Sequence, residues 1–186
     1  MNKKTKIITI AAVSGGGKTT ITERLTHELQ ISKALYFDSY KFDSCPADIC
    51  KWIDDGANYD EWVLTPLITD IQHLLQNSNL DYIIVDYPFA YLNSEMRELI
   101  DVTIFIDTPL DISMARRLLR DFKEGTISEI HDDLKHYITY ARKAYLEAIN
   151  TVKPNSDIVL DGSIPVNEII NQIVEELNRR EVNVNG

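Results

Sequence analysis

A short run of small residues constrains the fold of this chain more than any other feature of its sequence. The apolar stretch Ile7 to Ala11 leads directly into the loop Ala12-Val13-Ser14-Gly15-Gly16-Gly17, and a segment with helical periodicity begins at Lys18. Consecutive glycines let the backbone turn sharply and approach other groups closely. The order of strand, glycine-rich turn and helix is typical of the first unit of an α/β domain.

The same loop has the composition of a phosphate-binding loop. Its backbone N–H groups can converge on phosphate oxygens, and the N-terminus of the following helix adds a favourable dipole. Lys18 would contact the β- and γ-phosphates of a nucleotide, and the Thr19 hydroxyl would bind Mg²⁺. Ala12 stands where the Walker A motif G-x-x-x-x-G-K-[ST] has its first glycine, and alanine resists a positive φ. We predict a nucleotide site made of Ser14, Gly15, Gly16, Gly17, Lys18, Thr19 and Thr20.

The rest of the chain alternates short apolar runs with helical stretches. The later apolar runs are Ala34 to Phe37, Tyr82 to Val85, Val102 to Ile106 and Ile158 to Leu160. The helical stretches begin at Lys18, Thr65, Pro109, Ser128 and Val166, and the third is predicted to bury Ile112, Ala115, Leu119 and Phe122. Strands that are apolar throughout and separated by helices favour a parallel sheet covered on both faces. We predict a single α/β domain over residues 1–186, a three-layer sandwich around a five-stranded parallel sheet.

Charge and cysteine content exclude several classes of partner. The chain has 19 Lys and Arg against 29 Asp and Glu, a net charge of −10, which disfavours binding to nucleic acid or to an anionic membrane. No apolar run approaches the roughly 20 residues that a membrane span needs. The only two cysteines, Cys45 and Cys50, indicate a reducing, cytoplasmic setting. The expected partners are small molecules, and a homo-oligomer is compatible with the sequence.

Several further stretches resemble the group of uridine kinases, phosphoribulokinases and nicotinamide riboside kinases. They are Tyr36-Phe37-Asp38-Ser39-Tyr40, Ile104-Phe105-Ile106-Asp107-Thr108, Ala115-Arg116-Arg117 with Arg120-Asp121, and Ser156-Asp157-Ile158-Val159. The resemblance follows the same order along most of the chain. It implies a P-loop NTPase fold of the nucleoside/nucleotide kinase type. It also implies a uridine kinase-like enzyme that uses ATP and Mg²⁺ to phosphorylate a hydroxyl of a small molecule, above all a nucleoside.

The resemblance also implies roles for individual residues. Asp38 takes the position of the catalytic base, since a carboxylate can accept the proton of a weak hydroxyl nucleophile. Asp86 stands where the family usually has a glutamate that helps to hold Mg²⁺. Arg117 and Arg120 would neutralise charge on the transferred phosphoryl group, and Arg117 would also contact the substrate. Asp60, which belongs to a faint match to the family, would bind the acceptor sugar together with Asp38.

Two departures from the family pattern leave the acceptor open. Only Thr65 to Asp81 separates Asp60 from the third predicted strand, so the hairpin that reads the pyrimidine in uridine kinases is missing. The lid, expected around residues 123–128, reads Lys123-Glu124-Gly125-Thr126 where the family has Glu-Arg-Gly-Arg. A nucleoside-monophosphate kinase and a non-catalytic ATP-binding regulator therefore remain as alternatives. A GTP-driven switch is disfavoured because no strand is followed by an Asn-Lys-x-Asp motif.

Overall fold

Five strands form the centre of the molecule, which is described by a computed structural model over residues 5–77 and 79–184, with side chains as far as residue 180. The strands are β1 (Lys6–Ala11), β2 (Ser32–Tyr36), β3 (Tyr82–Asp86), β4 (Val102–Asp107) and β5 (Ile158–Asp161). They lie in the order β2-β3-β1-β4-β5, and every neighbouring pair is parallel. The predicted five-stranded parallel sheet is confirmed.

Helices cover both faces of this sheet. They are α1 (Lys18–Glu28), α2 (Ile49–Asp54), α3 (Thr65–Asn77), α4 (Ser94–Arg97), α5 (Leu110–Asp121), α6 (Ile127–His136), α7 (Arg142–Glu147) and α8 (Val166–Val184). Two π-helical turns, Tyr137–Ala141 and Ala148–Val152, flank α7 and join it to its neighbours as one continuous helical stretch. The prediction of one long helix in this region is confirmed in outline, although the π turns interrupt it. The short helices α2 and α4 lack the length that a periodic sequence signal requires.

The strand residues alternate between two apolar cores. One core contains Ile7 and Ile83 together with aromatic side chains, namely Phe37, Trp52, Tyr59, Tyr87 and Phe89. The other contains Ile8 and Ile84 packed against residues of α1 and α8, namely Ile21, Leu25, Ile169 and Ile173. Because both faces of the sheet are buried, the three-layer arrangement follows directly from the period-two alternation of these apolar strands.

The predicted buried face of α5 is wrong in part. Leu119 is 77% exposed and Ala115 is exposed, whereas the fully buried residue of the helix is Ser113. The reason is a tertiary contact, since a Cβ added to Gly15 would lie 2.2 Å from the carbonyl oxygen of Ser113. The helix is oriented by its close approach to the glycine loop, and its apolar stripe does not decide which side faces inward.

In the part of the chain that the structure describes, no helix is both long enough and apolar enough to cross a bilayer. Both cysteines are free thiols, Cys45 exposed and Cys50 buried. The cytoplasmic location stays a prediction.

Candidate active site

The glycine loop lies at the carboxyl end of β1, where the order of the sheet reverses. β1 pairs with β3 on one side and with β4 on the other, which is the position at which open parallel sheets bind ligands. Gly15 has a φ of 76° and Gly17 a φ of 100°, conformations that favour glycine. Ala12 is not among the non-glycine residues with positive φ, so alanine fits where the motif has its first glycine.

The ends of β4 and β5 hold this loop in place. The buried hydroxyl of Thr108, the residue after β4, donates to the carbonyl oxygen of Gly16 at 2.8 Å. Gly162, the residue after β5, packs so closely that an added Cβ would lie 1.8 Å from the Thr108 hydroxyl oxygen. The loop is therefore preorganised by two neighbouring strand ends.

Lys18 and Thr19 both face the carboxylate of Asp86 at the end of β3. The Thr19 hydroxyl donates to Oδ2 of Asp86 at 2.7 Å, and Nζ of Lys18 lies 4.0 Å from Oδ1. Burial raises the pKa of Asp86; the charge of Lys18 and the Thr19 hydrogen bond act in the opposite direction, and the charge of Asp38 adds to the rise. Hydroxyl and carboxylate oxygens are the ligands that Mg²⁺ prefers. Thr19 and Asp86 thus have the donor chemistry of a magnesium site.

A cavity of about 310 Å³ lies between Lys18 and Asp38, which both line it. Its remaining wall includes the aromatic residues Trp52, Tyr59, Phe89 and Tyr145 and the carboxylate of Glu147. A second cavity of about 210 Å³ is also lined by Lys18 and Asp38, and here Asp86 joins them. The three predicted residues that follow or end β1, β2 and β3 therefore meet around the smaller cavity. The larger cavity, which Lys18 and Asp38 share, has the size of a small-molecule site.

A third cavity, of about 440 Å³, lies beside the glycine loop. The loop residues Gly15, Gly17, Lys18, Thr19 and Thr20 line it, and so do Arg116 and Arg120 of α5. Arg120 is paired with its neighbour Asp121 through Nε at 2.7 Å. The structure thus places Arg120, and also Arg116, beside the loop predicted to bind the nucleotide.

Arg117 lies close to Gly15 through its Cβ, but its guanidinium is bound to a neighbouring helix. Its guanidinium binds the carboxylate of Asp133 on α6, with Nη1 at 3.0 Å from Oδ1, and Nη1 lies 3.8 Å from Asp121. The hydrogen bond to Asp133 raises the pKa of Arg117 further above its ordinary value. In this arrangement Arg117 joins α5 to α6, and its role in phosphoryl transfer stays a prediction.

Asp60 lies outside the linings of the cavities that Lys18 and Asp38 share. Its carboxylate accepts a hydrogen bond from the backbone N–H of Ser94 at 2.7 Å, at the start of α4. The neighbouring Tyr59 lines the larger cavity instead. The structure therefore brings together Lys18, Asp38 and Asp86, and it places Asp60 at a helix start.

The sequence did not predict that α2 and α7 form a wall of the larger cavity shared by Lys18 and Asp38. Trp52 comes from a six-residue helix without a sequence signal, whereas Tyr145 and Glu147 belong to the long helical stretch that was predicted. Burial raises the pKa of Tyr145, and a hydrogen bond with Ser14 and the charge of Arg117 oppose the rise. This tyrosine connects α7 to the glycine loop, a connection that only the tertiary structure reveals.

Comparison with known proteins gives a consistent result. The model of the Phosphoribulokinase / Uridine kinase family matches residues 73–169. A uridine kinase from Macrococcus caseolyticus is 30% identical, with 84% of this chain and 88% of that protein covered. One from Borrelia hermsii is 29% identical, with 83% and 85% covered.

Solved structures show the same fold. A shikimate kinase from Aquifex aeolicus superposes with a TM-score of 0.54 at 16% identity, covering 95% of this chain and 98% of that one. A gluconokinase from Sinorhizobium meliloti gives a TM-score of 0.55 at 15% identity, covering 99% and 97%. At these identities the likeness concerns the fold alone.

Proposed function

The chain belongs to the phosphoribulokinase/uridine kinase family, and we propose that it is an ATP-dependent nucleoside kinase that phosphorylates a hydroxyl of its acceptor. The observation that best supports the proposal is the cavity that Lys18 and Asp38 share. A residue that grips the phosphate chain and a carboxylate that can accept a proton line the same space. A hydroxyl bound there can approach the terminal phosphate.

On the donor side, Lys18 and the backbone N–H groups of the glycine loop would hold the β- and γ-phosphates. Thr19 and Asp86 would hold Mg²⁺, which when bound neutralises charge on the phosphate oxygens. Arg120 would neutralise charge that develops on the transferred group. Arg116 lines the same cavity beside the glycine loop as Arg120 does.

On the acceptor side, Asp38 accepts the proton of the attacking hydroxyl. The hydroxyl oxygen forms a bond to the γ-phosphorus while the bond from that phosphorus to the bridging oxygen breaks. The products are a phosphate monoester, ADP and a proton on Asp38 that passes to solvent. The exposed position of Asp38 at the cavity edge allows that release.

Water must be excluded during this step to prevent hydrolysis of ATP. Residues 123–128, the predicted lid, are all exposed and include the connection between α5 and α6. Thr126 begins α6 with a capping box in which it exchanges hydrogen bonds with Glu129. We propose that this connection closes over the bound nucleotide as a small lid of a single kinase domain.

The test is an assay of ADP release from ATP and Mg²⁺ over a panel of nucleosides. Acceptor-dependent release is expected, and Asp38→Asn should lower kcat by about 10²- to 10⁴-fold while ATP binding persists. Asp43→Asn is the matched control, because Asp43 is exposed and lines neither shared cavity. Tight ATP binding without turnover for any acceptor would overturn the proposal in favour of a regulator.

A further inference from the structure

Glu147 and Tyr59 form a hydrogen-bonded pair in the wall of the larger of the two cavities that Lys18 and Asp38 share. The Tyr59 hydroxyl donates to Oε1 of Glu147 at 3.0 Å, and both residues line the cavity. Burial, and then the charge of Glu147, raise the pKa of Tyr59 far above its ordinary value, so the phenol keeps its proton and remains the donor. The direction of this hydrogen bond is therefore fixed.

Within the described part of the chain Glu147 forms no ion pair, although Lys18 lines the same cavity. The nearest lysine along α7, Lys143, binds Asp54 at 2.6 and 2.8 Å. Arg117, which lies close to Tyr145, is bound to Asp133. Oε2 of Glu147 receives no hydrogen bond from any described residue, so it is available to a ligand in the cavity.

The pair can only accept hydrogen bonds from a ligand. An ionised carboxylate has no proton to donate, and the single proton of Tyr59 is already used. The surrounding aromatic side chains, Trp52, Phe89 and Tyr145, offer apolar faces to a planar ring. The cavity thus suits a ring whose edge carries N–H groups.

The element that carries Glu147 is held firmly. π-helical turns flank α7 on both sides, a feature that is frequent at functional sites. The hydroxyl of Tyr140 donates to Asp48 at 2.6 Å, and the Lys143–Asp54 pair adds a second link to α2. A carboxylate on such a braced helix keeps its position when a ligand enters.

We propose that Glu147, oriented by Tyr59, selects nucleosides whose base carries an exocyclic amino group over those with a carbonyl at the same place. Cytidine and uridine differ in this way. The amino group of cytidine can donate to Oε2, whereas uridine has a carbonyl at this place and carries its N–H at the adjacent ring position. This inference rests on the proposed nucleoside kinase activity and names its substrate class.

The experiment compares kcat and KM for cytidine and uridine in the wild type and in Glu147→Gln. We expect the wild type to favour cytidine in kcat/KM by about 10- to 100-fold, the range of a charged hydrogen bond. In Glu147→Gln the side-chain amide can donate to a carbonyl, so the ratio should fall to about one, through KM and with kcat little changed.

Two further variants separate recognition from structure. Tyr59→Phe keeps the ring but releases Glu147, and it should raise the KM for cytidine while kcat is retained. Glu61→Gln, on the same 3₁₀ turn as Tyr59, removes an exposed charge that lines neither shared cavity. It should leave the cytidine-to-uridine ratio of kcat/KM unchanged. A wild type that prefers uridine, or a preference that Glu147→Gln leaves intact, would overturn the inference.

A failure of the proposed activity gives a different result. If no nucleoside supports turnover, the kinase proposal fails, and calorimetric titration with cytidine alone then decides the question of recognition. Binding that is weakened by Glu147→Gln supports the recognition pair. Absence of cytidine binding to the wild type rejects it.

Discussion

The Thr19 hydroxyl donates a hydrogen bond to Asp86 at 2.7 Å, and this bond joins the first turn of α1 to the end of β3. The carboxylate that receives it is almost completely buried, with 6% of the side chain exposed. Lys18 lies 4.0 Å from its other oxygen and compensates the charge in part. A buried carboxylate whose charge is compensated only in part costs stability.

The first prediction concerns the metal-free stability of Asp86→Asn. The pKa of Asp86 is raised above its ordinary value of 3.8, chiefly by burial. Because the folded state then binds the proton more tightly than the unfolded state, the free energy of unfolding decreases as the pH rises from about 3.8 through the folded-state pKa. Asparagine still accepts the Thr19 hydrogen bond but carries no charge. Asp86→Asn should therefore have a higher Tm than the wild type at pH 7.

Thermal unfolding between pH 4 and 8 in a metal chelator tests this expectation, and the difference in Tm should shrink towards the acid end. The same variant should lose about 10- to 100-fold in activity with Mg²⁺. Asp43→Asn, which removes an exposed carboxylate, is the control for net charge. A lower Tm for Asp86→Asn at pH 7 would mean that the attraction to Lys18 outweighs the burial.

The sheet and the glycine loop could be predicted because their sequence signals are local. All five residues of β3 are buried, and the apolar run of the first four indicates a central parallel strand without knowledge of its neighbours. The parallel arrangement then places Lys18, Asp38 and Asp86, which follow or end three different strands, at one edge of the sheet. The proximity of these three residues follows from the sheet topology and can therefore be predicted from the order of strands in the sequence.

The wall that α2 and α7 contribute to the larger cavity shared by Lys18 and Asp38 could not be predicted in the same way. Glu147 reaches the cavity on a helix between two π turns, and the sequence carries no sign of where those turns occur. The partner of Arg117 is Asp133 on the next helix, a pairing that depends on how α5 and α6 pack. The periodicity of α5 predicts a buried Leu119, which is in fact exposed. Periodicity identifies an apolar stripe, but it carries no information about the close approach of Ser113 to Gly15.

The second prediction compares two buried threonines of β4 and its end. Thr108 donates to the Gly16 carbonyl at 2.8 Å, whereas the buried hydroxyl of Thr103 has no hydrogen-bond partner among the described residues. Thr108→Val leaves the Gly16 carbonyl without its donor and should cost about 1–3 kcal/mol of unfolding free energy. Thr103→Val has the same shape change and should be neutral or stabilising.

Urea denaturation of both variants measures these differences. Thr108→Val should also raise the KM for ATP, since the glycine loop loses one of its fixed points. The KM for ATP of Thr103→Val should equal that of the wild type. Equal losses of stability in the two variants would show that the hydrogen bond to Gly16 does not hold the loop.

The third prediction separates two arginines of α5 that were assigned a common role. Arg117 has 15% of its side chain exposed and binds Asp133, which is 21% exposed, so Arg117→Ala leaves a half-buried carboxylate unpaired. That variant should lose about 1–3 kcal/mol of unfolding free energy, between the values of exposed and buried ion pairs. Arg120 is 62% exposed and lines the cavity beside the glycine loop. Arg120→Ala should keep its stability and lose about 10²- to 10³-fold in kcat.

Denaturation curves and steady-state kinetics on the two variants distinguish these effects, with Arg179→Ala as the control. Arg179 lies on α8, is 70% exposed and pairs with Glu176, so its removal should change neither quantity noticeably. The double variant Arg117→Ala/Asp133→Ala should recover part of the stability that Arg117→Ala loses, because the unpaired carboxylate is then removed as well. A double-mutant cycle measures this coupling. If Arg117→Ala instead lowers kcat as far as Arg120→Ala does without loss of stability, Arg117 leaves Asp133 during the reaction and contacts the phosphoryl group.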